Sequence, residues 1–138
     1  MMRVFKFRAW NKIEKCMINP DANECRLIHI NGDALTLGWD NDCKTYKLVN
    51  DFDVEIMQWS GLKDSRGVDI FEGDIVKVIL SGIELIGEII FENAMFKIKG
   101  ESIESSLNSE IEARINDNLE VVGNIFEHKI KNGKVVKK

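Results

Sequence analysis

Apolar and polar positions alternate along much of this chain with a period of two, the mark of half-buried strands. Arg3 to Trp10 sets Phe5, Phe7 and Ala9 on one face and Lys6 and Arg8 on the other, which predicts a strand. Asn11 to Asn23 is polar and irregular, with Pro20-Asp21 as a turn signal. Arg26–Ile30 and Asp33–Trp39 flank Asn31-Gly32, the dipeptide that favours a tight type I′ turn, and together they predict a hairpin. His29 alternates with Ile28 and Ile30 and reads as a solvent-facing residue of one arm. Asp40 to Lys44 reads as a turn, Tyr46–Val49 as a short strand or bridge, and Val54–Trp59 as another strand.

The stretch SGLKDSRGVDIFEGDIVKV, from Ser60 to Val78, is the most punctuated part of the chain. Lys63–Gly67 is a polar five ending in glycine, and Glu72-Gly73-Asp74 is a second turn. Three strands then follow with short connections: Ile75–Leu80, Ile83–Phe91 and Met95–Lys99. Such a meander is the raw material of a small barrel. Ser109-Glu110-Ile111-Glu112 fits a capping box, with Ile111, Ile115 and Leu119 at four-residue spacing, so a short helix is expected there. Leu119–Phe126 returns to strand, with Gly123 as a bulge or close-approach point. The expected class is therefore mainly β with one short helix. A boundary near Gly61 separates a β-rich subdomain, residues 1–60, from a barrel subdomain, residues 61–138, with shared packing between them.

Composition sharpens this picture in a few places. The chain has 138 residues, enough for a core without a metal or disulfide, and its single proline argues against a long disordered linker. Three cysteines, Cys16, Cys25 and Cys43, stand far apart and form neither a disulfide framework nor a zinc motif. No signal peptide and no membrane-length apolar run is evident, so a cytoplasmic protein with no membrane partner is expected. The net charge of −4 argues against a dedicated duplex-DNA binder. The basic residues gather at the ends: Arg3, Lys6 and Arg8, and Lys129, Lys131, Lys134, Lys137 and Lys138. The KVVKK end reads as a solvated tail.

Chemistry is harder to find. The glycines at 61, 67 and 73 lack the Lys-Ser/Thr pair of a phosphate loop, and a strand follows them where a helix would be required. Asp40-Asn41-Asp42 lacks the glycine and glutamate of a calcium loop. No nucleophile motif occurs. Asp69, Glu72 and Asp74 could serve a divalent ion or acid–base work, against the simpler reading that they bond turn amides. Neither a cofactor nor a metal site is expected. Trp10, Trp39 and Trp59 could stack on single-stranded nucleic acid or line a peptide groove, although strand-end tryptophans usually pack.

Three stretches carry a resemblance. KFRAWN (Lys6–Asn11), IMQWSGLKDSRGVDIFEGDIV (Ile56–Val76) and LEVVGNIFEH (Leu119–His128) resemble, in order, the signature blocks of YopX-like proteins of bacteriophages and prophages. The resemblance implies an SH3-like barrel, formed mostly by the C-terminal half and packed on the β-rich N-terminal half. It also implies self-association in the cytoplasm of a bacterial host, and it brings no catalytic residues, because none are known for the family. The leading expectation is a non-catalytic binding or assembly module that forms a homo-oligomer or meets a host or phage protein. The alternative is a nucleic-acid-binding accessory protein using Arg3, Lys6, Arg8, Trp10, Trp39 and Trp59 with the lysine-rich end. A metal-dependent enzyme using Asp69, Glu72 or Asp74 comes third.

Overall fold

The computed structural model describes residues 6–19, 26–31, 34–39, 47–48, 54–80, 82–101, 104–106 and 118–138. All regular structure among them is β, in fourteen strands, and no helix there is long and apolar enough to cross a membrane. The helix expected from Ser109 to Leu119 falls mostly outside the described residues, and Leu119 itself is in a strand. Two compact units are formed, Met1–Gln58 and Trp59–Lys138.

In the first unit, β1 (Phe7–Asn11) lies between β2 (Cys16–Ile18) and the start of β6 (Val54–Lys63), antiparallel to both. The β1–β2 turn is held by the Asn11 side chain, whose Oδ1 accepts from the Ile13 and Glu14 amides at 3.0 and 3.1 Å. Strand β2 falls in the stretch expected to be irregular, because three residues carry too little alternation to register. Ala9, Ile18 and Val54 make a small core with Ile56. The expected hairpin is found one residue out of register: β3 (Arg26–Asn31) pairs with β4 (Ala34–Trp39), with Asn31 opposite Ala34. Asn31 therefore belongs to the strand and not to the turn, and β5 (Lys47–Leu48) joins β4.

In the second unit, the end of β6 pairs with β7 (Asp69–Phe71). The expected meander follows as β8 (Asp74–Leu80), β9 (Ile83–Glu92) and β10 (Met95–Lys99). With β11 (Glu104–Ser106) beside β10 and β12 (Leu119–Asn124) beside β8, they form a five-stranded sheet. Alternation puts Val76 and Val78 of β8, Ile89 of β9, Ile98 of β10 and Leu119 of β12 on one face, where they bury together with Ile70. At roughly 1.5–3 kcal/mol per buried side chain, this cluster is the main stabilising mass of the unit. The chain ends in a hairpin, β13 (His128–Lys131) and β14 (Lys134–Lys137). The KVVKK end is thus a paired strand and not a solvated tail. The signal is Asn132-Gly133, whose φ values of +52° and +70° are those of a type I′ turn.

The β9–β10 turn uses the same geometry with poorer residues. Asn93 and Ala94 both have positive φ, +52° and +61°, and alanine meets a steric penalty there that glycine does not. Replacing Ala94 with glycine should stabilise the protein by about 0.5–1 kcal/mol, after the entropy that glycine adds to the unfolded chain. Urea unfolding measures this, and a lower midpoint would show that the turn is not strained.

Candidate functional site

The punctuated stretch folds around two buried carboxylates. The first is Asp64, in the connection between β6 and β7, with a side chain fully shielded from solvent. Its Oδ1 accepts from the amides of Arg66 and Val68 at 2.8 and 2.9 Å, which shapes the polar five into a turn. Its Oδ2 accepts from the Val121 amide on β12 at 3.0 Å. Arg66 Nη2 donates to the Val121 carbonyl at 2.8 Å, and the Ser65 amide donates to the Leu119 carbonyl at 2.9 Å. A short loop therefore pairs with the outer edge of β12 much as another strand would. This protects an edge that would otherwise offer free backbone groups to other chains.

The electrostatics agree with that role. Burial raises the pKa of Asp64, but the amides of Val121, Val68 and Arg66 and the Arg66 guanidinium outweigh it, so the net shift is downward from 3.8. Arg66 also meets Glu120 at 3.5 Å, and Glu120 meets Lys77 at 3.6 Å; these solvent-facing pairs contribute little, about 0–1 kcal/mol each.

The second carboxylate, Asp74, is 1% exposed, and its Oδ2 accepts from the Phe71 amide at 2.9 Å across the Glu72-Gly73 turn. The tip of that turn is itself tied down. Gly73 donates to the Ile89 carbonyl at 2.7 Å and accepts from the Ile125 amide at 2.9 Å. Asp69 pairs with Lys63 at 2.8 Å. Asp69 and Asp74 are thus engaged in local structure, and no group of three His, Cys, Asp or Glu able to hold a metal occurs among the described residues. Glu72 is half-buried.

Among the described candidate binding residues, Arg8 and Trp10 are not on an exposed surface. Both are buried in β1, where both faces of the strand are covered and the expected half-burial fails. Lys6 is half-buried. Trp59 is half-buried, and its Nε1 donates to the Leu62 carbonyl at 3.0 Å. Arg3 lies outside the described residues, and for Trp39 only the strand is described.

Sequence reasoning missed a shallow cleft of about 260 Å³ lined by Ile75, Glu88, Ile125, His128, Lys129, Ile130 and Lys138. It lies where the β13–β14 hairpin meets the other face of the sheet. Partial burial raises the pKa of Glu88, with Lys99 opposing the shift. His128 Nδ1 accepts from the Asn124 amide at 3.4 Å. Gly123 is both bulge and close approach, as its sequence position suggests: the register shifts there, and a Cβ would lie 2.7 Å from His128 Nδ1.

Removing the Asp64 carboxylate leaves three amides without their acceptor, so Asp64→Ala should cost about 3 kcal/mol or more in urea unfolding. Because its folded pKa is lowered, Asp64 contributes stability above its unfolded pKa, and that contribution is lost as pH falls through the folded value. Glu88, shifted upward, acts in the opposite sense and takes stability away as pH rises from its unfolded to its folded pKa. Below about pH 4 wild type should therefore lose more stability than Asp64→Asn does. Equal acid sensitivity in the two proteins would remove Asp64 from this role.

A family model described as YopX protein matches residues 6–129. The chain is similar to the crystal structure of protein EF1440 from Enterococcus faecalis, at 26% identity over 91% of this chain and 96% of that one, with a TM-score of 0.59. It is also similar in fold to the crystal structure of protein yopX from Bacillus subtilis, at 19% identity over 88% of this chain and 92% of that one, with a TM-score of 0.62. No curated protein matches.

Proposed function

The chain belongs to the YopX family, and on that premise we propose that it is a phage- or prophage-encoded binding or assembly module without catalysis of its own, working in the cytoplasm of a bacterial host. One observation carries this reading. Of the acids weighed as a site, Asp69 pairs with Lys63 and Asp74 accepts from the Phe71 amide, while Asp64 and Arg66 in the same block hold the β12 edge. The meander with β12 returning beside β8 supports an SH3-like barrel for the second unit.

The module assembles first with itself. Ile83 and Phe91, 62% and 50% exposed, lie towards the two ends of β9, and Met95, 43% exposed, lies on the other face of the sheet. These are large apolar side chains that contact with further copies would cover. Phe91 and Met95 flank the β9–β10 turn, and Phe91 rests against Phe96 with ring centroids 4.9 Å apart. Light scattering across micromolar concentrations should find an oligomer, and Phe91→Ser combined with Met95→Ser should shift it toward monomer. A wild-type monomer throughout that range would overturn self-assembly.

A further inference from the structure

We propose that the β13–β14 hairpin is a basic ribbon that binds duplex DNA through its phosphates. This inference goes beyond the assembly reading and does not depend on it.

Charge along the chain is segregated. Residues 125–138 hold five lysines and one glutamate, a net +4 in a chain of −4, so the remainder carries −8. The hairpin register then sorts these lysines by face. His128 and Ile130 alternate with Lys129 and Lys131, and the His128–Ile130 face meets Ile75 and Ile125 in the cleft, which Lys129 and Lys138 also line. The opposite face carries Lys129, Lys131 and Lys134, all exposed, around Val136. Lys131 and Lys134 are direct cross-strand partners, a like-charge pair that costs stability wherever it occurs. A glutamate at either position would give a stabilising pair, so the arrangement serves something other than the fold. A bound polyanion offsets the repulsion.

Shape selects among polyanions. A two-stranded ribbon closed by a two-residue turn fits the major groove of B-form DNA, about 12 Å wide, with its lysines toward the flanking phosphates. The A-form groove of double-stranded RNA is too deep and narrow for it. The −8 of the remaining chain keeps the interaction weak, non-specific and dependent on low salt.

The test pairs binding with stability on the full chain. Three phosphate contacts predict a slope of log affinity against log salt of roughly −2.7, a loss of roughly 40-fold between about 50 and about 200 mM. Lys131→Glu should cut affinity for a fluorescent duplex at least roughly tenfold at low salt, while its melting temperature holds or rises because the introduced carboxylate would pair with Lys134. Lys129→Ala with Lys134→Ala should flatten the salt dependence. A role in the fold alone would not separate binding from melting in this way. Absence of duplex binding at low salt, unchanged affinity in Lys131→Glu, equal affinity for single strands, or preference for polyglutamate over the duplex would each overturn the proposal. Light scattering of the same samples reads self-assembly separately.

Discussion

The peptide group of Val121 is held between two side chains of one loop. Asp64 accepts from its N–H and Arg66 donates to its carbonyl, so an acid and a base from the same turn take the place of a neighbouring strand. The same carboxylate also shapes its own turn through the amides of Arg66 and Val68. Turn formation and edge closure are therefore one event. A full negative charge away from solvent is tolerable only because three amides and a guanidinium surround it. Leu119, two residues before Val121 on β12, fills the main core of the unit. Hydrogen bonding at the edge thus fixes where the apolar side chains of β12 fall, since a one-residue slip would turn them to the wrong face.

What can be read from the sequence is what depends on neighbours in the chain. The meander and the first hairpin are set by alternation and by turn residues a few positions away; the meander is found where expected, and the hairpin with Asn31 in its strand and not in its turn. Asn132-Gly133 carries the same signal, yet Val135 and Val136 stand side by side among lysines and disguise the alternation, so the last hairpin is hidden. The Asp64–Val121 bond spans 57 residues, and nothing local distinguishes Asp64 from an ordinary turn aspartate. Arg8 misleads in the opposite way. Its alternation with Phe7 and Ala9 suggests an outward face, but β1 is flanked by strands on both edges and covered on both sides, which no single strand's pattern reveals. Trp10, by contrast, is buried as strand-end tryptophans usually are. The cleft beneath the last hairpin gathers residues from β8, β9 and β13, and it is invisible in the sequence for the same reason.

The polar residues divide by purpose. In the central stretch Asp64, Arg66 and Asp74 bond backbone groups and make the architecture. In the last hairpin Lys129, Lys131 and Lys134 are exposed, and the lysines at 131 and 134 face each other where the fold alone would favour opposite charges. Strained or self-repelling arrangements on a well-held frame are where a binding surface is to be sought. Here the frame is the sheet, locked at β12, and the hairpin follows directly from that strand.

Native-state hydrogen exchange tests the central claim most directly, read at the amides of Val121, Arg66 and Val68. If the Asp64 carboxylate joins turn and edge into one unit, all three exchange slowly and with the same opening free energy. Rapid exchange at Val121 while Arg66 and Val68 stay protected would contradict the account, because the edge of β12 would then be open while the turn remained closed.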